Sequence, residues 1–234
     1  MLPVAILAGG LATRLRPLTE TIPKAMVAVN GEPFAFHQLR LLRRHGIEQA
    51  VFCLAHLGQQ VVDAVGDGTR FGVRVSYSFD GPTLLGTAGA LRIAAPSLGG
   101  DFFVLYGDAF LDCDYAAVER AYRRAGKPAL MTVFQNDGQW DTSNVEFQDG
   151  RIIAYSKVHQ TPRMRHIDYG LGVLSASVLD TVPADQVTDL ASIYEGLAAS
   201  EDLAALEVSQ RFYEIGSYAG LSEIEHYLKE VERR

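Results

Sequence analysis

Short apolar runs alternate with amphipathic segments over the first half of the chain, and this rhythm constrains the fold more than any other feature. Residues 4–7, 49–55, 73–77, 102–106 and 129–134 read as strands. The run at 102–106 is apolar throughout, as a strand buried on both faces should be. Residues 35–45, 58–65, 87–95 and 115–125 read as helices. The first carries Ala35, Leu39 and Leu42 on one face and meets Gly46, a helix stop. The third is expected to end before Pro96 and the fourth at Gly126. Such an order implies an α/β chain with a Rossmann-like, mixed but mostly parallel sheet and helices on both faces. Beyond it, residues 144–147, 151–155, 171–175 and 206–208 read as short strands with fewer helices between them. They predict a small antiparallel extension that helps to build a pocket. Residues 217–234 read as a last helix with a stripe of Leu221, Ile224, Leu228 and Val231. Packing on the body is the favoured reading of that stripe, and a homodimer contact is the alternative.

Charge narrows the partners. The chain has 21 Lys and Arg against 28 Asp and Glu, a net charge of −7, which argues against nucleic acid or an anionic membrane as a general partner. Cys53 and Cys113 are the two cysteines, too few and too far apart for a disulfide framework or a zinc site, and they read as buried thiols. The apolar start meets Gly9 and Gly10 too early for a signal peptide, and no apolar run approaches the ~20 residues of a membrane span. The cytoplasm is the expected compartment.

One stretch departs from the rhythm. LAGGLATRLRPLTETIPK, residues 7–24, leaves the first strand at its carboxyl end, where open parallel sheets bind their ligands. Gly9 and Gly10 let backbone N–H groups approach a base or phosphate. Pro17 and Pro23 stiffen the loop, and Arg14, Arg16 and Lys24 make it cationic. A polyphosphate accounts for that combination; a solvated surface loop is the bland alternative. Neither GxxxxGK[ST] nor GxGxxG is present, which removes the P-loop and dinucleotide readings.

Residues 7–24 resemble the signature of the sugar-1-phosphate nucleotidyltransferases, with Ala12 where many members carry glycine. Four further segments match in order: LGTAGAL at 85–91, VLYGD at 104–108, NVE at 144–146 with Lys157, and YEIGS at 213–217. The resemblance implies transfer of a nucleotidyl group from an NTP to a sugar 1-phosphate, giving an NDP-sugar and pyrophosphate. It implies one domain, with a nucleotide-binding half over about 1–135, a sugar-phosphate half over about 136–216 and the terminal helix. The nucleotide is expected at Leu7, Ala8, Gly9, Gly10, Thr13, Arg14, Asp80, Gly86, Thr87 and Gly89. Arg14, Lys24, Asp108 and Lys157 are the implied catalytic residues, and Asp108 and Glu214 the implied ligands of Mg2+. Aspartate is usual in the family where Glu214 stands. Asn144, Glu146, Lys157, Tyr169 and Gly170 are implied on the sugar phosphate. Relatives often read Glu-Lys-Pro where this chain has Ser156-Lys157-Val158, which removes a familiar carboxylate from the sugar site. Arg163, Arg165 and His166 form a second basic cluster, read either as a solvated loop or as a lid over the sugar phosphate.

Base and sugar are less sharply marked. Residues 86–89 resemble the version in mannose- and heptose-1-phosphate guanylyltransferases, whereas residues 56–78 resemble N-acetylmuramate-1-phosphate uridylyltransferases. The expectation is GTP with a heptose or mannose 1-phosphate. A uridylyl or thymidylyl enzyme and a catalytically silent nucleotide-sugar-binding subunit are the alternatives.

Overall fold

The structure, a computed structural model, describes residues 1–232 apart from Leu11, Pro82 and Asp185, so Arg233 and Arg234 of the expected last helix lie outside the described residues. In chain order the elements are β1 (Val4–Leu7), β2 (Ala28–Val29), β3 (Glu32–Pro33), α1 (Phe34–Arg44), β4 (Gln49–Leu54), α2 (Gln59–Val65), β5 (Arg74–Phe79) and α3 (Gly86–Leu98). There follow β6 (Asp101–Tyr106), β7 (Ala109–Phe110), α4 (Tyr115–Ala125), β8 (Ala129–Gln135), β9 (Val145–Gln148), β10 (Arg151–Tyr155) and β11 (His166–Ser175). The chain continues through α5 (Leu190–Ala199), β12 (Leu203–Val208), β13 (Tyr213–Glu214) and α6 (Tyr218–Glu232).

Nine strands form one sheet, ordered β10-β9-β11-β6-β1-β4-β5, with β8 pairing β11 and β12. The β6, β1, β4 and β5 pairings are parallel, as is β8 with β12, while β11 runs antiparallel to β6, β8 and β9. All strands of the sheet but β10 and β11 therefore point the same way.

The strands are buried on both faces, and their two-residue period divides the core. Val4, Ile6, Phe52, Phe103 and Leu105 pack with α1, α2 and α4; Ala5, Val51, Cys53, Phe102 and Val104 pack with α3 and α5. Burying one such large apolar side chain contributes about 1.5–3 kcal/mol. A third cluster joins Ile224 and Leu228 of α6 to Leu15, Val27, Phe34, Phe110 and Ile215. The α6 stripe thus packs on the body, and through Leu15 it anchors the loop after β1.

Three expectations need correction. The helix expected to end before Pro96 runs on to Leu98 with the proline inside its last turns. Burial of Ala94 and Leu98, four residues apart on one face, offsets the hydrogen bond that Pro96 cannot donate. α5 was not anticipated, although Asp189 caps it by accepting the Ala191 N–H at 2.8 Å and Leu190, Ala191, Tyr194 and Ala198 line one buried face. β12 is longer than residues 206–208 and pairs β8 in parallel, because α5 carries the chain back across the sheet. The described helices include none long and apolar enough to cross a membrane.

Candidate active site

The carboxyl ends of β1, β4 and β6 lie side by side, and a cleft of about 270 Å³ opens above them. Leu7, Ala8, Gly9 and Gly10 form one wall as the chain leaves β1; Tyr106, Gly107 and Asp108 form the other at the end of β6. The two walls nearly touch. A Cβ on Gly107 would stand 2.8 Å from the Leu7 carbonyl oxygen and 2.9 Å from the Ala8 Cβ, so only glycine lets the Gly107 N–H donate to that carbonyl at 2.9 Å. Lys24, Asp80, Gly86 and Thr87 complete the lining.

The basic loop is shaped by three short 3-10 turns, Thr13–Leu15, Leu18–Glu20 and Lys24–Met26. The Thr19 hydroxyl donates to the Ala12 carbonyl at 2.7 Å, and Leu15 is fully buried beneath. Ala12 sits at φ 48°, ψ 43°, a left-handed conformation that glycine adopts without the ~1–2 kcal/mol penalty of a Cβ.

Charge converges at the end of β6. The Lys24 ammonium contacts the Asp108 carboxylate at 2.5 Å. β13 pairs with β7 so that Glu214 faces Ala109, and the Ile215 N–H donates to the Asp108 carbonyl at 2.9 Å. This brings Glu214 beside Asp108. Burial, then the Asp108 and Asp141 carboxylates, push the Glu214 carboxyl above its ordinary value, and Arg14 and Lys24 pull it back. The Arg14 guanidinium lies over Gly216, where a Cβ would come within 3.1 Å of its Nη2. Arg14, Lys24, Asp108 and Glu214, far apart in sequence, thus share one corner. No group of three or more His, Cys, Asp or Glu gathers as a metal cage among the described residues. Two carboxylates crowded together are nonetheless a fit for Mg2+, which takes hard oxygen ligands and commonly only one or two carboxylates beside substrate phosphates.

At the other end of the cleft Asp80 accepts the Leu85 N–H at 3.4 Å, and burial raises its carboxyl above the ordinary value. Cys53 lies in the cleft lining, and burial pushes its thiol up to about 12, so it is a packing group rather than a nucleophile. Thr87 lines the cleft, yet its hydroxyl donates to Asp189 at 3.2 Å and accepts the Leu190 N–H at 2.7 Å. Thr13 and Arg14 flank the cleft rather than line it, and Gly89 faces Leu85 and Gln186 from inside α3.

The sugar-side residues divide. Lys157 follows β10 with its ammonium 5.5 Å from the Tyr106 ring centre and 3.9 Å from Asp189. Asn144 accepts the Asp168 N–H at 2.9 Å, and Glu146 pairs with Arg163 at 3.3 Å. Tyr169 is a correction. It is 2% exposed and packs on Phe134 and Phe212, because alternation along β11 turns position 169 into the core. Its neighbours Asp168 and Gly170 lie on the other face. Asp189, which contacts both Thr87 and Lys157, was missed, and its place as the cap of α5 was its only sequence signal. The second basic cluster does not act as a unit: Arg163 goes to Glu146, Arg165 to Asp137 at 2.7 Å, and His166 to Glu207 at 2.9 Å.

Sheet order and site together define a nucleotide-diphospho-sugar transferase fold. A family model described as "Nucleotidyl transferase" matches residues 4–144, and the chain belongs to that family. It is similar to a UTP–glucose-1-phosphate uridylyltransferase from Synechocystis sp., at 31% identity over 79% of this chain and 52% of the relative. It is also similar to an N-acetylmuramate alpha-1-phosphate uridylyltransferase from Neisseria meningitidis, at 30% identity over 93% of this chain and 94% of the relative. The chain thus spans about half the length of the first of these relatives and nearly all of the second. Other relatives are named as guanylyl- and thymidylyltransferases. Among solved structures, HddC from Yersinia pseudotuberculosis complexed with GMP-PN shares the fold, with a TM-score of 0.80 at 23% identity over 97% of this chain and all of the other.

Proposed function

We propose that the protein transfers a nucleotidyl group from an NTP, by preference GTP, to a heptose or mannose 1-phosphate, releasing pyrophosphate. The observation that carries the reading is the convergence of Arg14, Lys24, Asp108 and Glu214 at the carboxyl edge of the sheet. Two polyanions must meet for the sugar phosphate to attack the α-phosphorus in line, so the chief tasks are alignment and charge neutralisation. Gly9 and Gly10 present backbone to the nucleotide. The Arg14 guanidinium spans two oxygens of the departing pyrophosphate. Lys24, a compact charge, stands at the α-phosphate, and Lys157 holds the sugar 1-phosphate. Asp108, with Glu214 beside it, would hold the divalent cation. When bound, that cation neutralises phosphate charge and fixes the reacting groups. The attacking phosphate is ionised near neutral pH, so no strong base is required. The reading places the nucleotide half at about residues 1–135 and the sugar-phosphate half at about 136–216, in one domain.

Asp80 supports guanine. Its carboxylate, at the mouth between β5 and α3, can accept the two adjacent N–H donors of guanine's Watson–Crick edge, whereas uracil offers one. The second reading, a uridylyl enzyme, rests on the near full-length similarity to the Neisseria protein. Incubation with Mg2+, each of four NTPs and a panel of sugar 1-phosphates, with pyrophosphate as the readout, separates them. GTP is expected to lead with heptose or mannose 1-phosphate, and Asp80→Ala to erode that preference by about 10- to 100-fold. A lead for UTP overturns the choice of base. Silence with every pair favours a nucleotide-sugar-binding subunit without catalysis.

A further inference from the structure

We infer that Asp189 is a positioning residue for the acceptor: its carboxylate is the resting counter-ion of Lys157, presenting the ammonium at the cleft and holding down its affinity for the sugar phosphate. The inference rests on the proposed function and deepens it, since it takes Lys157 as the residue that holds the anomeric phosphate.

Three groups meet at one oxygen. Asp189 Oδ1 accepts the Ala191 N–H at 2.8 Å and the Thr87 hydroxyl at 3.2 Å, and it lies 3.9 Å from the Lys157 ammonium. Among the described residues, Asp189 is the carboxylate in ion-pair reach of that lysine. The carboxylate is fixed. Thr87 accepts the Leu190 N–H at 2.7 Å, the Thr188 N–H donates to the Leu85 carbonyl at 2.8 Å, and the Ala88 N–H donates to the Thr188 carbonyl at 2.9 Å. The backbone on both sides of Asp189 is thus tied to the first turn of α3, the turn that lines the nucleotide cleft. Lys157, by contrast, ends a flexible four-carbon stem. Its ammonium rests between Asp189 and the Tyr106 ring, whose centre is 5.5 Å away, within cation–π range, and Tyr106 lines the cleft. Tyr155 of β10 meets Tyr194 of α5 edge-on at 6.1 Å, so the elements that carry lysine and carboxylate are packed together.

This arrangement sets the sign of the effect. The Lys157 and Asp189 side chains are 40% and 59% exposed, so the pair is weak and exchangeable. A phosphate monoester carries nearly two charges at neutral pH and displaces the carboxylate from the ammonium. The carboxylate cannot retreat, because its oxygen is held by Ala191 and Thr87. An arriving phosphate therefore replaces an existing counter-ion and then stands near a fixed negative charge, and both terms weaken its binding. The NDP-sugar product keeps the same phosphorus beside Lys157, so its affinity falls as well. Weaker binding of substrate and product alike leaves the chemical step untouched once the acceptor saturates, and it favours product release. Asp189 thus places the lysine before the acceptor arrives and limits how tightly the lysine holds afterwards.

The test compares wild type with Asp189→Asn and Asp189→Ser, using the sugar 1-phosphate that wild type turns over fastest. Asparagine keeps an oxygen for the Ala191 N–H and the Thr87 hydroxyl and removes only the charge; serine keeps a cap but is too short to reach Lys157. In both variants the KM for the sugar 1-phosphate is expected to fall by about three- to tenfold. Calorimetry is expected to show the NDP-sugar bound tighter by a similar factor, and inorganic phosphate to become a stronger inhibitor against the acceptor. In Asp189→Asn the KM for NTP is expected to stay unchanged. A damaged fold raises KM, so a fall is a readout that a merely structural role does not produce. An acceptor KM that is unchanged or raised in both variants overturns this inference alone. A wild type that releases no pyrophosphate with any sugar 1-phosphate overturns the proposed function and this inference together.

Discussion

Asp108→Asn is expected to lower turnover by about a thousandfold while nucleotide affinity stays within about threefold of wild type. The change is isosteric, and the asparagine oxygen still accepts from the Lys24 ammonium that now lies 2.5 Å from Asp108. What is lost is a negative charge next to Glu214, and with it half of the carboxylate pair that fits a divalent cation. Lys24, Arg14 and the glycine backbone remain to hold the nucleotide. Pyrophosphate release measures the first effect and isothermal calorimetry with NTP the second. Near-normal turnover would remove Asp108 from the site. A matching loss of affinity would make it a binding residue rather than one that acts on the reaction.

Gly86→Ala is expected to destabilise the fold by about 3 kcal/mol and to weaken nucleotide binding with it. Gly86 opens α3 at φ +75°, where a side chain is strained. Its Cβ would lie 2.5 Å from the Thr188 carbonyl oxygen, 2.9 Å from the Thr188 carbon and 3.1 Å from the Thr188 nitrogen. All three are backbone atoms of a strap that cannot turn aside. The strap is bound to α3 by the Thr188 N–H to Leu85 at 2.8 Å and the Ala88 N–H to Thr188 at 2.9 Å. It also carries Asp189, which Thr87 and Lys157 both contact, so displacing it disturbs the nucleotide cleft and the acceptor side together. Gly10→Ala is the contrast. A Cβ there meets nothing within 4 Å, so stability should hold while nucleotide affinity falls because the methyl enters the cleft. Urea unfolding of the two variants separates the cases. Equal stability would remove the strap from the account.

How far these residues could be read from sequence depended on the range of the interaction. The strands β1, β4, β5, β6 and β8 and the helices α1, α2 and α4 were legible because apolar period and glycine stops are local. The glycine-rich loop was legible because a long motif fixes both its ends. Long-range pairing was not. Whether Leu203–Val208 runs parallel or antiparallel depends on α5, a helix whose cap at Asp189 was there to be read. Pro96 misled because a local rule met a stronger nonlocal term, the burial of Leu98. On the acceptor side, the phase of β11 decides that the Tyr169 side chain meets the core. That phase depends on strand pairing, which a single sequence does not reveal.

The central claim is spatial: cationic side chains and a carboxylate pair gathered above one edge of a parallel sheet let two phosphate esters meet. A crystal structure with Mg2+, a non-hydrolysable GTP analogue and a sugar 1-phosphate tests it most directly. The account predicts the Arg14 guanidinium on the terminal phosphates, the Asp108 carboxylate on the metal and the Lys157 ammonium on the sugar phosphate. A complex in which Arg14 and Asp108 turn away from the triphosphate would contradict it.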